Sequence, residues 1–139
     1  MRILAVDPGE KRIGVAISDP TGTIANPLTV IRHTSRLNDA THIAQMTTFH
    51  EVDLIVIGQS FDENGQPTFE GRRAGRFADV LHTQTDIPII LWDEGFSTQD
   101  ARLARISMDV SRKKRSGHMD ELAATVILQS YLDAQVSHI

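Results

Sequence analysis

MRILAVDPGEKRIGVAISDPTGTIANPLTVI (residues 1–31) decides the fold, because it reads as three strands joined by two tight turns. Residues 2–7 form a continuous apolar run that ends on a carboxylate, the pattern of a strand covered on both faces. Pro8 and Gly9 of PGEK supply the backbone angles of a turn. Residues 12–18 (RIGVAIS) give a second strand, DPTG (19–22) another turn, and residues 23–31 (TIANPLTVI) a third strand. Pro27 has no amide proton to give a ladder, so this third strand belongs at a sheet edge. Segments so close in sequence predict an antiparallel meander. Asp7 is the misfit. A polar group left unpaired at the tip of an apolar strand costs about 2–7 kcal/mol, and a charge more. A cation, a proton or a metal has to make Asp7 tolerable there.

Beyond residue 31 the period changes. Leu37, Ala40, Ile43, Ala44 and Thr47 recur at spacings of three and four, which predicts an amphipathic helix over 36–51. DLIVI (53–57) is a buried strand ending at Gly58, and a loop rich in Gly, Asn and Pro covers 59–67. A helix is expected over 69–84, with Phe69, Arg73, Phe77, Val80 and Leu81 along one side. IPIILW (87–92) makes a fifth strand that runs into Asp93 and Glu94. STQD (97–100) has the form of an N-cap with an acidic partner three residues on, opening another helix. The last helix is expected over 119–134, with Leu122, Ala123, Val126, Ile127 and Tyr131 turned inward. A meander followed by alternating helix and strand predicts an α/β fold. Its core is one mixed five-stranded sheet, three antiparallel strands then two parallel, with helices on both faces. No repeat, low-complexity tract or linker interrupts the pattern, so a single domain over 1–139 is the expectation.

Composition narrows the chemistry. The chain has 139 residues, 40% hydrophobic and 23% charged, as ordinary globular proteins do. It contains no cysteine, which excludes disulfides, thiolate zinc sites and a cysteine nucleophile. There is no signal-peptide pattern and no run approaching 18 apolar residues, so a cytoplasmic protein without a membrane partner is expected. The net charge of −4 argues against coating nucleic acid non-specifically. Its distribution is uneven: SRKKRSGH (111–118) concentrates Arg112, Lys113, Lys114 and Arg115 in one run. Such a run is commonly a solvated loop, unless it borders a cluster of carboxylates.

Ligands of α/β sheets gather beyond the carboxyl ends of strands. Asp7 and Glu94 both fall there, on the first and fifth strands, and Asp120 opens the final helix directly after the basic run. Magnesium is held by one or two carboxylates with waters and phosphates, and a two-metal site needs about three carboxylates. Each acid also has a plainer reading. Asp120 suits a helix start through the macrodipole, Glu94 suits an exposed strand exit, and Asp7 could be structural. Asp93 points away from Glu94 if strand geometry persists. Asp19, Asp39, Glu51, Asp53, Asp62, Glu63 and Asp100 fall in turns or on helix surfaces, where solvation is expected.

DPGEKRIGVAISDPTGTIANPL, LWDEGFSTQDA and VSRKKRSGHMDELAATVILQSYLD resemble, in the same order and at similar spacing, the motifs of the YqgF/RuvX family. The similarity spans about residues 1–134. It implies a ribonuclease H-like fold in a family described as Holliday junction resolvases and as nucleases that mature the 5′ end of pre-16S rRNA. It further implies a divalent-metal phosphodiesterase using Mg2+ or Mn2+, in a suspected two-metal site, with Asp7, Glu94 and Asp120 as acidic triad. Arg12 matches the same motif and would steady a phosphate or pair with a nearby acid. Arg112, Lys113, Lys114 and Arg115 would hold the backbone of pre-rRNA or branched DNA. No segment declares whether the protein is a monomer or a homodimer.

Two departures stand out. The family usually reads Asp-Glu-Arg after the fifth strand, and here Gly95 replaces the arginine. It usually has Gly-Leu-Pro after the fourth, and here Gly58-Gln59-Ser60 stands there, followed by a different loop from Phe61 to Pro67. Two other readings stay open. DPGEKRIGVAISD also resembles the phosphate-binding hairpin of actin-like ATPases and sugar kinases, which need two such lobes. A non-catalytic nucleic-acid-binding module of the same fold is the other, and Gly95 favours it.

Overall fold

β1 (Ile3–Pro8), β2 (Arg12–Ser18) and β3 (Ala25–Arg32) form the meander expected from the opening residues. They are followed by α1 (Arg36–Phe49), β4 (Leu54–Gln59), α2 (Phe69–Leu81), β5 (Ile89–Asp93) and α3 (Arg112–Val136). The computed structural model describes residues 1–93 and 112–136, and of 112–121 the backbone path. The helix expected to open at Ser97–Asp100 lies outside the described residues.

One five-stranded sheet runs in the order β3-β2-β1-β4-β5. β1 pairs antiparallel with β2 and parallel with β4, β2 antiparallel with β3, and β4 parallel with β5. This is the mixed sheet expected from the sequence. The central strand is apolar on both faces because both are covered: Leu4, Ala5 and Val6 have no exposed surface. Strand alternation sorts the contacts. Leu4, Val6, Ile55 and Ile57 meet Ala40 and Ile43 of α1 and Phe77 and Leu81 of α2. Ile3, Ala5, Ala16 and Val56 meet Ala124, Ile127, Leu128 and Tyr131 of α3. Pro27 sits on an edge strand as expected, next to a bulge where Thr29 faces Val15 but Pro27 faces Ala16.

The element boundaries shift for identifiable reasons. β3 starts at Ala25 because the amides of Thr23 and Ile24 are taken by Asp19 Oδ1, each at 2.8 Å. α1 stops before Glu51, whose φ of 54° is left-handed. α2 stops at Leu81, where the hydroxyl of Thr83 donates to the Val80 carbonyl at 2.6 Å. β5 starts at Ile89, with the Pro88 carbonyl accepting the Ile55 amide at 3.0 Å. α3 begins at Arg112 rather than 119, since Arg and Lys are good helix formers and the basic run is helical rather than a loop. Asp120 therefore lies within α3 and does not open it.

The helix faces also differ from the sequence pattern. Leu37 and Phe69 are exposed, and the buried face of α2 is Gly71, Ala74, Phe77, Ala78 and Leu81. Asp39 is buried rather than solvated. Among the described residues, no helix is long and apolar enough to cross a membrane.

Candidate active site

Asp7 stands opposite Gly14 of β2 and directly follows Val6, whose partner in β4 is Ile57. It is half-buried at the carboxyl tip of the central strand. Alternation gives it the face of Ile3 and Ala5, which α3 covers. The turn after it closes tightly, with the Gly9 amide donating to the Arg12 carbonyl at 3.0 Å. A Cβ on Gly9 would come within 2.4 Å of that oxygen, so only glycine fits.

A cleft of about 300 Å³ opens where this turn meets the end of β4 and the start of α2. Asp7, Glu10, Ser60, Glu70 and Arg73 line it, together with Phe69. The far wall is built by local hydrogen bonds. The hydroxyls of Ser60 and Thr68 are 2.5 Å apart, and Thr68 caps α2 by accepting the Gly71 amide at 3.1 Å. The Gln59 side-chain amide donates to the Gly71 carbonyl at 3.0 Å. Asp62, exposed in a turn as expected, also folds its own loop by accepting the amides of Asn64 and Gln66 at 2.9 and 3.0 Å. The departure at Gly58-Gln59-Ser60 thus lies in the cleft wall, not on a remote surface.

Among the described residues, the cation lining this cleft is Arg73. Its guanidinium lies 5.1 Å from the centroid of the Phe69 ring, and that of Arg72 lies 5.9 Å from the same ring. The sequence pattern places Arg73 along one side of the helix without giving it a role. The signal available was an arginine interrupting the stripe Phe69, Arg73, Phe77. Arg12, expected to serve substrate, is exposed at the first residue of β2, in register with Arg32.

The donors in the cleft are carboxylate and hydroxyl oxygens, the hard set that suits Mg2+ or Mn2+ rather than soft metals. Among the described residues, no three His, Asp or Glu side chains converge to hold a metal ion. Glu94 lies outside the described residues, one position beyond the end of β5. Asp120, with Arg112, Lys113, Lys114 and Arg115, belongs to the part of α3 described as backbone.

Comparison with known proteins adds three kinds of likeness. The chain is 45% identical over 136 residues to a protein of Thermoanaerobacter pseudethanolicus named "Putative pre-16S rRNA nuclease", covering 97% of this chain and 98% of that one. Its fold matches Thermus thermophilus RuvC in complex with a Holliday junction substrate, with a TM-score of 0.64 at 12% identity over 98% of this chain and 96% of that one. It also matches the fowlpox virus resolvase bound to Holliday junction DNA, with a TM-score of 0.61 at 14% identity over 98% and 99% of the two chains. These two likenesses carry the RuvC-type ribonuclease H-like architecture. The family model described as "RuvX: Holliday junction resolvase" matches residues 1–134, and with the relative above it makes this chain a member of the RuvX family.

Proposed function

We propose that this chain is a divalent-metal-dependent nuclease that hydrolyses phosphodiester bonds in structured nucleic acid. Its substrate is the 5′ end of pre-16S rRNA, a Holliday junction, or both. The observation that carries this reading is Asp7, a half-buried carboxylate at the tip of the central strand, opening into a cleft that also presents Arg73. The family and the name of the 45% identical relative support the substrate class.

Asp7, Glu94 and Asp120 would hold Mg2+ or Mn2+, in one or two sites. When bound, the metal lowers the pKa of a water and neutralises charge developing on the phosphate. The sequence spacing supports this grouping. Asp120 precedes Ala124 by four residues and Ile127 by seven, the stripe of α3 that packs on the face Asp7 shares. Glu94 follows by two residues Trp92, which packs against the same cluster.

Arg73 places a planar, permanently charged donor beside Asp7, suited to the non-bridging oxygens of a phosphodiester. Arg12 steadies a neighbouring phosphate or pairs with an acid. Arg112, Lys113, Lys114 and Arg115 hold the nucleic-acid backbone electrostatically, giving position rather than sequence. The protein acts in the cytoplasm, as one domain over 1–139, as a monomer or a homodimer.

The deciding experiment is cleavage in Mn2+ of a synthetic four-way junction beside a precursor rRNA fragment. Wild type cuts at least one of them, and Asp7→Asn cuts neither while melting as the wild type does. Cleavage at the wild-type rate by Asp7→Asn ends the proposal. Gly95, where the family carries arginine, favours a second reading, a nucleic-acid-binding module without turnover. Calorimetric titration with Mg2+ separates the two: an enzyme binds the ion and loses it in Glu94→Gln, whereas a bare module binds none.

A further inference from the structure

A second cavity of about 150 Å³ adjoins the Asp7 cleft and shares with it the turn Pro8, Gly9 and Glu10 and the side of α2 at Arg73. Asp39 forms part of its wall and is only 2% exposed. Its Oδ2 lies 2.5 Å from His33 Nδ1, and its Oδ1 accepts the Thr34 amide and hydroxyl at 3.2 and 3.3 Å. A buried carboxylate needs such partners. The contact with His33 does more than satisfy it, because that side chain remains 41% exposed. With Nδ1 engaged, the ring is fixed in orientation and Nε2 is its remaining hydrogen-bonding atom. Arg36, from the first turn of α1, and Arg73, from α2, bring two guanidinium groups to the same cavity. Guanidinium has no lone pair to offer a metal, and two of them beside an oriented imidazole suit a tetrahedral oxyanion. The opposing charges are Glu10, exposed at the turn, and the Asp39 carboxylate, which is taken up by His33 and Thr34.

We propose that this cavity holds a phosphate of the bound nucleic-acid strand next to the one at Asp7, with His33 and Arg36 as ligands and Arg73 spanning both positions. The proposal rests on the nuclease reading and adds a positioning site to it. Asp39 acts through His33.

The test uses the full chain in EDTA, so that binding is read without cleavage. A fluorescein-labelled four-way DNA junction and a labelled precursor rRNA fragment are titrated by anisotropy against wild type, Arg36→Ala and His33→Ala. Arg36 is exposed, so its variant folds even if loss of His33 disturbs Asp39. Arg36→Ala is expected to bind about tenfold more weakly, the scale of one charged hydrogen bond, and to flatten the salt dependence. A single methylphosphonate placed at successive linkages should weaken wild type at one further linkage, and at that linkage add nothing to Arg36→Ala. Unchanged affinity of Arg36→Ala, or additive losses at every linkage, overturns the cavity while leaving the nuclease reading intact. Failure of the wild type to bind either nucleic acid, in EDTA and with Mn2+ alike, overturns both. Inorganic phosphate serves as the control for a free anion. If it shifts the His33 ring resonances at millimolar concentration while both nucleic acids leave them unmoved, the cavity takes free phosphate and the strand assignment fails.

Discussion

The indole of Trp92 stands edge-on to the ring of Tyr131, with centroids 5.2 Å apart and planes at 88°, and its Nε1–H donates to Ser130 Oγ at 3.2 Å. One residue before the end of β5, this contact fastens the strand that leads to Glu94 to the helix that carries Asp120.

Trp92→Phe keeps an aromatic contact and removes the hydrogen bond, so it should cost about 1 kcal/mol of stability. Activity should fall further than stability, by about 10–100-fold in kcat, because on the proposed triad this contact positions two of the three acids and a small misplacement is expensive in rate. Metal titration and cleavage rates, measured beside melting curves, check this. A kcat that tracks stability alone would show that β5 and α3 do not jointly position the site.

Arg73→Ala removes the guanidinium shared by the cleft and the adjoining cavity. Losing a donor aimed at developing charge costs about 100-fold in kcat/KM, and Arg73→Lys should recover part of it as a point charge. The melting temperature should hardly move, since Ala74, Phe77 and Leu81 carry the packing of α2.

Much of this arrangement is legible in the sequence, and the gaps have physical causes. The meander is legible because Pro8-Gly9 and Asp19-Pro20 punctuate apolar runs, and Pro27 declares the edge. Asp7 is legible as a misfit in a strand without a polar face. The start of α3 is hidden because RKKR reads as charge before it reads as helix formers. Asp39 is hidden because its partner His33 lies outside the helix, so burial of the carboxylate depends on how β3 turns into α1. Phe69 looks like core by spacing, yet at the first turn of α2 it overhangs the cleft and meets arginines instead of the sheet.

Asp19 gathers the β2–β3 turn around one carboxylate. The Thr21 hydroxyl, then the amides of Ile24 and Thr23, hold its carboxyl well below the usual carboxylate range. A pKa depressed in the folded state contributes stability that is fully present above the unfolded value, near 3.8, and is lost as pH falls through the folded one. Asp19→Asn should therefore melt below wild type at pH 7, and the gap should close progressively below about pH 4. A gap that stays constant down to the most acid point would place the effect in turn geometry, not in charge.

Gly71 sets two opposing effects against each other. In a helix, Gly→Ala ordinarily gains about 1 kcal/mol from the reduced freedom of the unfolded chain and better propensity. Here an added Cβ would lie 2.2 Å from the Ser60 carbonyl oxygen and 3.3 Å from Pro67 Cβ. The nearest of these is backbone, which cannot swing aside as a flexible side chain can, and overpacking of this kind costs about 1–3 kcal/mol. The clash should win, so Gly71→Ala should lower the melting temperature. It should also impair cleavage, because relief of the contact moves Ser60 and the start of α2, two walls of the Asp7 cleft. Gly75→Ala is the internal control: its nearest neighbour would be Gln59 Nε2 at 3.7 Å, an ordinary contact. That variant should be neutral or stabilising and fully active, and equal losses at both positions would mean that the tight approach of Ser60 to α2 has no part in shaping the cleft.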